Sequence, residues 1–136
     1  MGFPPDSDTM AARYLAEAIE TATPPERLIM LFDRLEVDLA NAKAGFMTGD
    51  NFTVNEHLVH AQEIVAALRV TLDVTVWPEG AQLAGLYNLW QSELLAANME
   101  KDPGRLSLVT EMVTEVAATW RAARDRAYAP SMATVP

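Results

Sequence analysis

Four segments of the chain repeat apolar residues in alternating steps of three and four. That spacing places the side chains on one side of an α-helix, because each residue turns the helix by about 100°. No strand-like alternation of any length occurs between the segments, and the breaks that join them are short. The pattern predicts an all-α antiparallel four-helix bundle. The repeated residues are Leu28, Phe32, Leu35, Leu39, Ala42 and Phe46; Val54, Leu58, Ala61, Val65, Leu68 and Leu72; Leu83, Tyr87, Trp90, Leu94 and Ala97; and Leu106, Val109, Val113, Val116 and Trp120.

Local signals mark where two of these helices begin. Thr23 and Glu26 have the spacing of a capping box at the start of a helix over roughly 24–48. Thr53 and Glu56 repeat that spacing at the start of the next helix. Both threonines are therefore predicted to cap the helices that follow them.

The rest of the chain predicts one domain with tails. Residues 9–21 form a shorter, weakly apolar segment, which predicts an additional N-terminal helix outside the bundle or across one end of it. Residues 1–8 and 128–136 are rich in proline and small residues and are predicted to be flexible tails. We therefore expect a single helical domain over 9–127.

Composition argues against several classes of protein. The chain has no cysteine, which excludes disulfides and thiolate metal sites. Its formal charge is −9 and no dense Lys/Arg cluster occurs, so nucleic acid and anionic membranes are unfavourable partners. No apolar run approaches the roughly 20 residues of a membrane-spanning helix, and no signal peptide opens the chain. We expect a cytosolic protein with no direct membrane insertion.

Catalytic motifs are not evident in the sequence. There is no glycine-rich phosphate loop and no nucleophile–base arrangement, so we expect neither enzyme activity nor a cofactor. His57 and His60 lie three residues apart on one helix, but Glu56 and Glu63 are not followed by histidine three residues later, as di-metal bundle sites require. Two solvated or half-buried surface histidines are favoured over a metal site.

The stretch "RLIMLFDRL", residues 27–35, contains five consecutive apolar residues, which point all round the helix axis. A second apolar face therefore accompanies the predicted core-facing one, and either the chain covers it or a partner binds it. The periodicity slightly favours coverage of this face by the chain itself. Both alternatives hold if the covering segment can be displaced by a partner. The members of this second face are Ile29, Met30, Val37, Ala40, Ala44 and Met47, with a smaller set of Ala84, Leu95 and Met99 on the third of the four helices.

The sequence blocks carry a resemblance to a known family. "YLAEAIETATP" followed by "ERLIMLFDRL", then "NEHLVHAQEIVAALRVTLD", "EGAQLAGLYNLWQSELLAANMEKD" and "VAATW", resemble in order and spacing the FliS family of flagellin-specific export chaperones. The resemblance extends from about Tyr14 to Arg121. Arg34 departs from it, since the family often has glycine there, and only Gly80 remains of a frequent glycine pair.

The resemblance implies a function and partners. Such a bundle would bind the disordered C-terminal segment of flagellin, which wraps round it in extended and helical stretches, and would block premature filament assembly. It would deliver flagellin to the flagellar type III export apparatus without using a nucleotide. The N-terminal segment bearing Tyr14 would cover part of the apolar surface and dock to the export gate protein FlhA. The alternative is a helical adaptor or dimerisation module without chaperone activity.

The second apolar face and the resemblance together give the candidate partner-binding residues. The apolar members are predicted to form the walls of a groove. Asp33 and Asn98, which match family positions, are predicted to fix register by hydrogen bonds to the client main chain or to a neighbouring loop. For Asp33, a solvated acid is the alternative. The full set is Tyr14, Ile19, Ile29, Met30, Asp33, Val37, Ala40, Leu95, Asn98 and Met99.

Overall fold

The structure is a computed structural model that describes residues 25–73, 75 and 80–128. Four α-helices make up these ranges, and no strand occurs in them: α1 Pro25–Thr48, α2 Asn51–Thr71, α3 Ala81–Glu100 and α4 Pro103–Tyr128. The predicted all-α class and its four helices are confirmed. The additional helix predicted over 9–21 lies outside the described residues, as do Thr23 and both predicted tails apart from Tyr128. None of the four helices is long and apolar enough to cross a membrane.

The helices pack as a ring in chain order. Helix α1 packs against α2 and α4, and α3 packs against the same two, so α1 and α3 face each other diagonally. Cross-helix hydrogen bonds show the direction of α2 and α3. Gln91 donates to the main-chain carbonyl of Gln62, and Asn98 donates to Asn55, so rising numbers on α3 meet falling numbers on α2. These two neighbouring helices are antiparallel.

The predicted core residues fill the space inside this ring. Almost all of them are buried, and Trp90 lies at the centre, completely enclosed. Its ring meets Phe32 of α1 edge to face, with centroids 6.4 Å apart, and lies 5.4 Å from the ring of Tyr87. The exceptions are Phe46, Leu83 and Val116, which are only partly buried at the margin of the core, while Ala117 is fully buried.

Two residues, Gly49 and Asp50, connect α1 to α2, and each has a separate structural role. Gly49 adopts a left-handed φ of 70°, which lets the Asp50 N–H bond the Gly45 carbonyl at 2.8 Å and close α1. The Asp50 carboxylate then accepts bonds from the Thr53 hydroxyl at 2.6 Å and the Thr53 N–H at 3.1 Å. These bonds, the hydroxyl bond foremost, hold the pKa of the Asp50 carboxyl below its ordinary value.

The predicted capping box of Thr53 and Glu56 is therefore wrong. Asp50 caps α2 three residues earlier, and Thr53 lies in the first turn of the helix as the donor rather than the cap. In the predicted capping box, the Glu56 carboxylate would accept a hydrogen bond from the Thr53 N–H. In the structure, the Asp50 carboxylate accepts from that N–H instead.

The connection between α3 and α4 works in the same way. Lys101 takes the left-handed conformation, with a φ of 53°, and the Asp102 N–H bonds the Ala97 carbonyl at 3.0 Å. The Asp102 carboxylate accepts from the Gly104 N–H at 2.9 Å. Pro103 begins α4, where its missing N–H leaves no helix bond unmade. In both connections one aspartate closes a helix with its main chain and opens the next with its side chain.

Close packing of α1 on α2 predicts the effect of filling Gly45. A Cβ at this position would lie 3.0 Å from the Val54 side chain, 3.1 Å from the Val54 nitrogen and 3.2 Å from the Asp50 carbonyl oxygen. Because main-chain atoms cannot move aside cheaply, we expect Gly45→Ala to lower the free energy of unfolding by about 1–3 kcal/mol. Urea titration followed by circular dichroism measures this.

Gly85 supplies the matched control. It lies within α3, and a Cβ there would meet nothing within 4 Å. Gly85→Ala should raise stability by up to about 1 kcal/mol, since alanine favours helix over glycine. Equal effects of the two substitutions would contradict the close approach at Gly45.

Candidate partner-binding surfaces

Large apolar side chains remain exposed on all four helices. Scattered exposed apolar residues are normal, so only those that form a contiguous surface indicate binding. The exposed large apolar residues are Met30, Val37 and Met47 on α1; Phe52, Val59 and Val70 on α2; Leu89, Leu95 and Met99 on α3; and Leu108 on α4.

One contiguous surface, here called the α1 face, covers the outer side of α1. Its members lie within about 100° of arc on the helix, opposite the buried repeat. Met30, Val37 and Ala40 are exposed, with Val37 52% exposed. The α1 face comprises Met30, Val37, Ala40, Ala44 and Met47.

Ile29 does not belong to this surface. It is only 5% exposed and is part of the core, so its predicted place on the exposed face is wrong. Ile29 lies two helical turns before Glu36 and on the same side of α1, and Glu36 reaches Arg121 of α4. The side of α1 that carries Ile29 is thus the side that α4 packs against, which a helical wheel of α1 alone does not reveal.

Asp33 lies within the arc of the α1 face, between the directions of Ala40 and Ala44, and takes part in an ion-pair cluster. The Arg121 guanidinium donates to Asp33 at 2.5 Å and to Glu36 at 2.6 Å. These hydrogen bonds, the one to Glu36 foremost, raise the pKa of Arg121 above its ordinary value. Asp33 is therefore paired with the neighbouring helix α4, rather than only solvated or bonded to a loop. All three groups are partly exposed, and such pairs typically contribute about 0–1 kcal/mol.

Asn98 lies at the junction of α2 and α3. Its side-chain amide donates to the Asn55 side-chain oxygen at 2.8 Å, and its own oxygen accepts from the Lys101 ammonium at 2.5 Å. Asn55 is exposed and Asn98 is half-buried. The predicted hydrogen-bonding role of Asn98 thus includes a bond to the neighbouring helix within the molecule.

Four exposed apolar residues surround this pair of asparagines. Phe52 and Val59 lie one turn either side of Asn55, and Leu95 lies one turn before Asn98, with Met99 next to it. Because the amide bond fixes the register of α2 and α3, the four side chains form one surface. We call it the amide-centred face: Phe52, Val59, Leu95 and Met99 round Asn55 and Asn98.

The structure divides the predicted site into two parts. Met30, Val37 and Ala40 lie on α1, while Leu95 and Met99 lie on the diagonally opposite α3. Their exposed sides point in different directions, so no single groove contains both sets. Tyr14 and Ile19 lie outside the described residues.

Sequence reasoning missed the contribution of α2 to the amide-centred face. Phe52 and Val59 fall outside the buried repeat of α2 and form no run of several apolar residues, unlike residues 28–32 of α1. Their seven-residue spacing, which places them on one side of the helix, is the signal that was available.

A polar cluster joins α1 to α2, and Val59 of the amide-centred face lies at the edge of its cleft. Asp38 is 3% exposed and is the one buried residue with a charged side chain in the part of the chain that the structure describes. The His57 Nδ1 donates to one of its carboxylate oxygens at 3.0 Å, and the His60 Nδ1 donates to the other. We call this cluster the Asp38 clasp.

The clasp opens onto a cleft of about 340 Å³, which combines opposite charges. The described residues contain no group of three or more histidine, cysteine or carboxylate side chains arranged to hold a metal ion. Both histidines are half-buried, one of the two states that the sequence predicts, and they hold a buried carboxylate that the sequence analysis did not identify. The cleft is lined by Arg34, Asp38, Glu56, His57, Val59, His60 and Glu63.

Exposed apolar faces on a helical bundle define a protein-binding module, and comparison with known proteins gives its family. The sequence model described as flagellar protein FliS matches residues 7–127, so the chain belongs to the FliS family. The flagellar secretion chaperone FliS of Bacillus subtilis (strain 168) is 29% identical over 110 residues, covering 81% of this chain and 82% of the relative. The family is one of chaperones in flagellum biogenesis and protein export, rather than of enzymes.

The Asp38 clasp predicts a non-additive effect on stability. Replacing both histidines, His57→Ala with His60→Ala, leaves the Asp38 carboxylate buried without its donors, so we expect the free energy of unfolding to fall by at least about 2 kcal/mol. Adding Asp38→Leu removes the buried charge and should recover most of that loss. Urea titrations of the double and triple variants at neutral pH measure both effects. A triple variant no more stable than the double would contradict the clasp.

Proposed function

We propose that the chain is a cytosolic export chaperone that binds the disordered C-terminal segment of flagellin and prevents its premature polymerisation. Membership of the FliS family supports the chaperone role. The observation that carries the binding assignment is the exposure of apolar side chains on the α1 face and the amide-centred face. Neither enzymatic chemistry nor a cofactor enters this mechanism, which is stoichiometric sequestration.

The two faces explain what kind of client this bundle suits. A disordered segment loses about 1–2 kcal/mol of main-chain entropy for each residue that becomes ordered, so a short contact does not hold it. Separate apolar surfaces on α1 and on α2 and α3 favour a long segment that passes round the bundle and contacts both. Bound in this way, the client segment is not available to pair with another flagellin molecule.

Delivery to the flagellar export apparatus completes the proposed function. The resemblance assigns docking to the export gate protein FlhA to the N-terminal segment, with Tyr14 as the matching residue; Ile19 of the same segment is a predicted partner-binding residue. Binding of client and gate by different segments of one chain would bring flagellin to the gate without any chemical step.

The test places two negative charges in the α1 face. Val37→Asp with Ala40→Asp should weaken binding of the C-terminal segment of flagellin from the same organism by at least about tenfold, because a carboxylate is costly to bury in an apolar contact. Isothermal titration calorimetry gives the affinity and should show a 1:1 complex for the parent chain. Circular dichroism checks that the helices remain intact.

Leu108→Asp is the matched control. Leu108 of α4 is 47% exposed, close to the 52% of Val37, and lies outside both faces. This variant should bind like the parent. Equal affinity of all variants would contradict the role of the α1 face. Concentration-dependent self-association with no response to flagellin would instead support the adaptor or dimerisation module.

A further inference from the structure

Methionine contributes to both apolar faces and supplies the two most exposed large side chains of the α1 face. The structure describes four of the chain's seven methionines. Met30, Met47 and Met99 are 66%, 78% and 76% exposed, and each belongs to one of the two faces. The fourth, Met112 of α4, is partly buried against the core and belongs to neither face. The exposed thioethers of the described residues therefore all lie where the client segment is proposed to bind.

An exposed thioether reacts with hydrogen peroxide, and the reaction changes the polarity of the side chain. The O–O bond breaks and an S–O bond forms, so sulfur is oxidised by two electrons and the products are methionine sulfoxide and water. Methionine sulfoxide reductases reverse the step with two thiols, which leave as a disulfide while the oxygen leaves as water. The chain has no cysteine, so its methionines are the sulfur groups that peroxide attacks.

The cost of this oxidation arises in the complex rather than in the free chain. Water hydrates a sulfoxide on the outer side of α1, and the core is not touched. When a client segment covers the face, that water leaves, and an apolar contact offers no donor to the sulfoxide oxygen. Val37 is then the one large apolar side chain of the α1 face without a sulfoxide, whereas the amide-centred face keeps Phe52, Val59 and Leu95. The α1 face is thus the more sensitive of the two.

We propose that Met30 and Met47 form an oxidation-sensitive site, at which reversible conversion to methionine sulfoxide by hydrogen peroxide lowers the affinity of the chaperone for its client. This inference rests on the proposed function and adds a regulation of the same binding surface. A free chaperone exposed to peroxide captures less client. A chaperone that is already bound is protected, because the client covers both sulfur atoms.

The first test oxidises the chaperone alone. The full chain is treated with hydrogen peroxide, catalase removes the excess, and the C-terminal segment of flagellin from the same organism is then titrated in by calorimetry. We expect the affinity to fall by at least about tenfold, since two sulfoxides lose their water in the complex. Reduction with reductases for both sulfoxide epimers should restore it. Peptide mass spectrometry locates the added oxygen atoms, and circular dichroism checks the helices.

Met30→Leu with Met47→Leu identifies the residues responsible. Leucine keeps the apolar character and nearly the volume of methionine, so the variant should bind like the parent chain before treatment. After treatment it should lose less than about threefold in affinity, because its α1 face has no sulfur to oxidise. Met112→Leu is the matched control and should lose affinity as the parent does. Equal losses in the parent and the double variant would overturn the inference, as would an oxidised parent with unchanged affinity.

The second test measures protection of the sulfur atoms by the client. Saturating flagellin segment should slow the oxidation of Met30 and Met47 several-fold and change that of Met112 little, since susceptibility follows exposure. Equal oxidation rates of Met30 and Met47 in the free and bound chain would contradict this inference, and so would resistance of both residues to peroxide in the free chain. Failure of the untreated chain to form a complex would instead contradict the proposed function.

Discussion

The edge-to-face contact between Phe32 and Trp90 joins the two helices that do not pack against each other directly. Trp90 comes from α3 and Phe32 from α1, so their rings occupy the middle of the four-helix ring and fix which side of each helix points inward. Once these sides are fixed, the remaining positions of every helix are assigned to a neighbour or to solvent. The α1 face and the amide-centred face consist of the apolar residues at positions assigned to solvent. Their positions therefore follow from the packing of the core.

Polar groups stabilise the junctions between helices in different environments. At the α1–α2 junction a buried carboxylate receives two imidazoles, and at the α1–α4 junction a partly exposed guanidinium bridges two carboxylates. The first arrangement is sensitive to loss of any one partner, because a buried charge has no water to replace it. The second tolerates such loss, because water solvates the partners that remain. Loss of one partner is therefore expected to cost more stability at the α1–α2 junction than at the α1–α4 junction.

The sequence predicted the class of fold well and the candidate site in part. The repeats on four helices identified nearly all of the core, since burial of one apolar side per helix is a property of each segment by itself. The sequence analysis misplaced Ile29 and missed the Asp38 clasp because neither is a property of one segment by itself. Both depend on which neighbour packs against which side of α1, and a single helix does not contain that information. The spacing likewise did not reveal that the α1 and α3 residues lie on different sides of the bundle.

The two aspartate connections also bear on the chain entropy that folding of the bundle costs. Asp50 and Asp102 each join helices across a linkage of only two residues, so the entropy cost of bringing those helices together is small. The longer stretch from Leu72 to Gly80 separates these helix pairs in the chain. Contacts within each helix pair are therefore local in sequence and cost little chain entropy, whereas the contact of Trp90 with Phe32 joins the two pairs across a long stretch of chain.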